Sequence, residues 1–186
     1  MRLSSLPAAV VIVGTVISIV GIVIGAMGGS AGFRGPGATN LLDSLAVLLI
    51  GLGVGGLSLV AIPPVAARAP RSLLALDGIG FIGLGLTASA NTGPDTSPLL
   101  LVLVASIAVL AIALPLTAVA LLLRSGPTRV VGILVALGCG GAALQLSTGS
   151  PIALVMLAGI PIGFAALGAS ALGSAGAASG APTSSL

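Results

Sequence analysis

From Leu99 to Leu123 the chain runs twenty-five residues without a charge. Coiled as a helix at about 1.5 Å per residue, such a run is longer than the roughly 30 Å of hydrocarbon in a bilayer. In lipid no water is available to backbone N–H and C=O groups, so an isolated apolar run must bond to itself as an α-helix. Five more apolar runs follow, three without a charge and two with a single aspartate each (Asp43 and Asp77): Leu6–Met27, Leu41–Ile62, Ser72–Ala90, Val130–Leu146 and Pro151–Leu172. The pattern predicts an all-α polytopic membrane protein, a bundle of six transmembrane helices over 6–27, 41–62, 72–90, 99–123, 130–146 and 151–172. A basic head before the first run resembles a secretory signal, but the run exceeds the 7 to 15 residues of such a core and is read as the first helix.

Composition excludes most alternatives. The 186 residues are 57% hydrophobic and 5% charged, whereas soluble domains are roughly 25% charged. Six arginines (Arg2, Arg34, Arg68, Arg71, Arg124, Arg129) face three aspartates (Asp43, Asp77, Asp95). The arginines are scattered through the joints between runs and make no single basic face, so no nucleic-acid partner is expected. There is no His, Lys, Glu, Tyr or Trp, which removes the aromatic belts of many membrane proteins and leaves arginine as the interfacial anchor. The lone Cys139 allows no internal disulfide and reads as a small packing residue.

The joints carry turn chemistry. Residues 28–40 (GGSAGFRGPGATN) read as a loop, with Asn40 a candidate N-cap and Asp43 near the positive end of the second helix. PPVAARAPR at 63–71 is a rigid basic connection, NTGPDTSP at 91–98 a polar loop, and RSGPTR at 124–129 a tight basic turn. Pro115 and Pro161 fall inside helices four and six, where each removes a backbone donor. The tail 173–186 offers too little apolar surface to offset ordering and is expected to be disordered.

With the N-terminus in the cytoplasm, five arginines lie inside and Arg34 alone outside, which satisfies the positive-inside rule. The even helix number returns the C-terminus to the same side. The expected location is the cell membrane.

Two local patterns recur between the halves. LGVGG at 52–56 resembles LGCGG at 137–141, and Leu76, Gly78, Ile79 and Ala88–Ala90 have counterparts in Leu157, Gly159, Ile160 and Ala169–Ala171. If the halves are homologous, three helices each insert them in opposite senses, a 3+3 inverted repeat. Such glycine- and alanine-rich text also matches itself by chance.

G-x-G-x-x-G occurs at Gly51, Gly53, Gly56 and again at Gly78, Gly80, Gly83. A dinucleotide site needs those glycines in a strand-to-helix turn, whereas here both sets lie inside spanning runs. Their expected role is close approach of helix backbones, shared with seams at Gly14, Ser18, Gly21, Gly25, at Gly132, Ala136, Gly140, and at Gly159, Gly163.

Asp77 is the candidate site. An acid inside a spanning helix must be paired, protonated or wetted. It is read either as a proton or cation site, or as half of an ion pair with Arg68, Arg124 or Arg129 reaching in from the same end. Gln145 and the hydroxyls of Thr15, Ser18, Ser58, Thr87 and Ser106 could line a path, but such groups commonly bond back to their own helix.

Catalysis is hard to build from this set. Without His there is no hydrolytic triad or zinc site, and Asp43 and Asp77 lie toward opposite ends of their helices, too far apart for an acid dyad. No catalytic residue, metal or cofactor is expected. Two roles remain: a non-catalytic membrane component, a subunit or homo-oligomer partner within the lipid bilayer, or a small secondary permease that uses Asp77.

Overall fold

Proline and glycine set the helix ends in a computed structural model of the chain, which describes residues 5–27, 38–60, 68–90, 97–148 and 151–177. The elements are α1 (Ser5–Met27), α2 (Ala38–Leu59), α3 (Arg68–Ala90), α4 (Ser97–Leu122), α5 (Pro127–Thr148), α6 (Pro151–Leu157) and α7 (Gly159–Ala177). Pro127 and Pro151 open their helices and Pro70 and Pro98 sit in first turns, where no N–H is needed and φ is already helical. Between α4 and α5 the chain reverses through Gly126 at φ 77°, a conformation that a side chain would oppose.

Among the described residues there is no strand, and six helices are long and apolar enough to cross a membrane; the sixth crossing, Val155–Gly173, draws on α6 and α7. Large aliphatic side chains face outward, including Val13, Val16 and Val20 of α1, Ile79 of α3 and Leu101 and Ile112 of α4. Water would not tolerate that surface, and lipid favours it. The chain is a multi-pass membrane protein.

Several boundaries differ from the sequence reading. Helix α2 starts at Ala38, so Asn40 lies within the first turn and Asp43 in the second. It also stops at Leu59, three residues before the expected Ile62, and Arg71 caps its last carbonyls: Nε donates to Ser58 O at 2.9 Å and Nη2 to Leu59 O at 3.3 Å. Helix α3 takes in Arg68 to Arg71, read from sequence as connection. Helix α7 continues five residues past Leu172 to Ala177. Arg2, Arg34, Asp95 and the tail beyond 177 lie outside the described residues.

The two internal prolines behave differently. Helix α4 passes through Pro115 unbroken. In the sixth span Pro161 cannot donate to Leu157, and Ala158 falls out of helix between α6 and α7. Ile162 N–H bonds back to Ala158 O at 3.2 Å and restarts the ladder. Thr15 of α1 donates to the Pro161 carbonyl at 2.9 Å, a buried link between first and last spans.

Each span packs on the one before it, and α7 returns to α1, which closes a ring. Phe81 of α3 and Phe164 of α7 meet edge to face, with centroids 6.1 Å apart. Both belong to a continuous apolar core with Val11, Val54, Leu57, Leu74, Leu121 and Val135.

The two glycine motifs have a geometric reason. At about 100° per residue, positions i+2 and i+5 lie within about 60° of each other and opposite position i. A helix wedged between two neighbours therefore presents one glycine to one and two to the other. Gly51 faces Ile82 and Gly78 of α3, while Gly53 and Gly56 face Val11 and Pro7 of α1. One helix along, Gly78 faces Gly55 and Gly51 of α2, while Gly80 and Gly83 face Leu110 and Ser106 of α4. In α5, Gly132 packs on α4 and Gly138 and Gly141 on the sixth span, whereas Gly140 makes only ordinary contact with Met156.

Candidate functional site: a buried acid between α3 and α4

Asp77 lies near the middle of its span, Ala69–Thr87. Its helix cannot turn the carboxylate to lipid, because Gly78 is pinned to α2 and Gly80 and Gly83 to α4. The side chain is held inside at 0% exposure, and so is that of Thr117 on α4. Thr117 donates its hydroxyl to Asp77 Oδ2 at 2.6 Å, a short hydrogen bond. Asp77 Oδ1 is buried without a hydrogen-bond partner. No water-sized space touches the carboxyl, since any such space would register as exposure.

Thr117 is the residue that sequence reasoning missed. A threonine in a spanning helix ordinarily returns its hydroxyl to a carbonyl three or four residues back. Thr87 does so to Gly83 O at 2.9 Å, Ser106 to Val102 O at 2.7 Å and Ser58 to Gly55 O at 2.5 Å. Thr117 instead reaches across to another helix, forty residues away in sequence. Pro115, two residues earlier, is the only local signal.

The candidate arginine partners are placed as follows. Arg68 opens α3, nine residues before Asp77. Arg124 is half-buried in the α4–α5 turn, seven residues beyond Thr117, or about 10 Å along the axis. Arg129 is exposed in the first turn of α5. The side chain of Arg68 lies outside the described residues; among the side chains that are described none forms an ion pair with Asp77, and Thr117 is its one hydrogen-bond partner. The α4–α5 turn also frames a surface recess lined by Leu123, Arg124, Ser125, Pro127 and Thr128. Cys139 of α5 is half-buried against the core and within electrostatic reach of Asp77.

The other polar residues stay apart from the acid. Thr15 bonds Pro161, Ser18 is half-buried, and Gln145 is half-buried near the end of α5 with Oε1 unpartnered. The described residues hold no group of three or more metal-ligating side chains.

The candidate repeat has a structural counterpart at one crossing. Gly78 packs onto Gly55 N and Gly51 O, and Gly159 onto Gly138 N and Leu134 O. Both glycines thus straddle a pair of residues four apart on the preceding span. That register sets Gly55 opposite Gly138, two residues away from the alignment of LGVGG with LGCGG. The likeness lies in backbone crossing, not in the matched letters of α2 and α5.

Compared with known families, curated proteins and solved structures, the chain matches none.

Proposed function

We propose that the chain is a non-catalytic component of the cell membrane, a subunit or structural partner of a larger membrane assembly. The carrying observation is the sealed interior: the one acid in the middle of a span and its partner hydroxyl are both at 0% exposure, among helices brought to backbone contact by glycine. A carrier in this state would need a polar space at its acid, and none touches it. The arginine-bearing ends are assigned to the cytoplasm with both termini. The residue set supports no catalytic assignment.

The unpaired Asp77 Oδ1 favours a second reading, a small secondary permease. The matched crossings of Gly78 and Gly159 support that reading as the trace of an inverted repeat. Exchanging the halves maps α1–α2 onto α4–α5 and α3–α4 onto the sixth span with α1, and all of these neighbours pack.

Reconstitution separates the two. Purified chain in liposomes under an imposed pH or sodium gradient is expected to move no more proton or sodium than empty liposomes. Extracted from its own membrane with the surrounding lipid, it is expected in a particle heavier than one 17.5 kDa chain and its lipid. Gradient-driven flux abolished by Asp77→Asn would overturn the first reading and establish the second.

A further inference from the structure

An acid in hydrocarbon has three ways to be tolerated: a cation beside it, water around it, or a proton on it. Among the described residues the first two are missing around Asp77, element by element. Helices α1, α4, α6 and α7 carry no ionisable side chain. In α2 the only one is Asp43, a second acid, half-buried at the end of α2 remote from Arg71, with its Oδ1 against Gly21 of α1. In α5 they are Cys139, which adds no positive charge, and Arg129, exposed at the end. On α3 itself Arg71 is committed to the Ser58 and Leu59 carbonyls, and Arg68 lies nine residues away. Arg124 sits in the turn beyond α4. Among the described side chains no cation contacts the carboxyl, and one of its two oxygens has no hydrogen-bond partner.

We propose that the Asp77 carboxyl, clamped by Thr117, is an occluded binding site for a single proton, sealed between α3 and α4 in this closed form of the bundle. One O–H bond breaks and one forms: when the helices part, a hydronium ion gives its proton to the carboxylate and is left as water, and release is the reverse transfer to a water molecule by the same route. Thr117 remains the donor to Oδ2 and fixes the orientation of the group. In the neutral acid the proton sits on Oδ1, and the cost left in the core is that of one unpaired hydroxyl instead of an uncompensated charge. The inference goes beyond either role proposed above, because proton occupancy and transport are separate measurements.

The test is infrared difference spectroscopy on the full chain in bilayers of ether-linked lipid, which carry no ester carbonyl to overlap the band. With three aspartates and no glutamate in 186 residues, the protonated-carboxyl region is almost empty, and exposed carboxyls are ionised at neutral pH. The expected result is a protonated C=O stretch at pH 7 that is lost in Asp77→Asn, kept in Asp43→Asn, insensitive to sodium and slow to shift in heavy water. Thr117→Val is expected to move the band by removing its hydrogen bond, which keeps the assignment open to test if Asp77→Asn does not fold. Absence of the band in the folded wild type, its survival in Asp77→Asn, or its appearance only when sodium is withheld would each overturn the proposal. Liposome flux can fail or succeed independently of this band.

Discussion

Adding one methyl group at Gly78 tests whether glycine contact holds α2 and α3 together. A Cβ there would sit 2.7 Å from both the Cα and the N of Gly55 and 3.0 Å from Gly51 O. Comfortable contact between carbons is about 3.5 to 4.0 Å, so the shortfall is about 1 Å. Its neighbours at this point are backbone atoms of glycines, so no flexible side chain can give way, and the helices must separate. Overpacking of this kind costs about 1–3 kcal/mol. Alanine also stabilises a helix over glycine by about 1 kcal/mol, which masks part of the loss. Gly173→Ala supplies the control, since a Cβ at Gly173 meets nothing within 4 Å. The propensity gain is common to both variants, so their difference isolates packing. Reversible unfolding in mixed micelles, driven by a rising share of denaturing detergent and followed by circular dichroism, is expected to place Gly78→Ala about 1–3 kcal/mol below Gly173→Ala. Equal stability of the two would refute the claim that this crossing is at backbone contact.

Further outcomes follow from other contacts. Thr117→Val leaves both Asp77 oxygens unpaired and is expected to cost about 1–3 kcal/mol in the same unfolding assay, while Thr117→Ser retains the donor and most of the stability. Arg71→Met removes the donors to the Ser58 and Leu59 carbonyls, and a loss of about 1 kcal/mol is expected for this half-exposed interaction, with Arg71→Lys in between. Gly140→Ala, whose Cβ would stand 3.6 Å from Met156 Cε, is expected to be neutral or slightly stabilising. Reporters fused to the two termini are expected to signal from the same compartment, the cytoplasm; opposite compartments would contradict an even number of crossings.

How far the sequence can be read depends on the range of the interaction. The spans were legible because length and hydropathy are properties of contiguous residues, and a bilayer leaves one local solution for each run. The ends of α2 and α3 were not, since Arg71, read as part of a connection, lies in α3 and caps the end of α2. The break at Ala158 arises from Pro161 together with Gly159, whereas Pro115, without such a glycine beside it, leaves α4 continuous. At the site, Asp77 stood out as an acid inside an apolar run, a local anomaly. Thr117 did not, because its sequence surroundings match those of hydroxyls that bond to their own helix, and only the packing of α4 on α3 directs it elsewhere.

The most direct measurement of the sealed interior is the reactivity of a thiol placed beside the acid. In a Cys139→Ala background, Thr117→Cys and an exposed control at the α4–α5 turn, Ser125→Cys, are treated in native membranes with a water-soluble maleimide. The account expects rapid labelling of the control and, at position 117, labelling slower by orders of magnitude, limited by the rare parting of α3 and α4, until the bundle is unfolded. Labelling at position 117 at a rate approaching the control would show water reaching Asp77 and would contradict it.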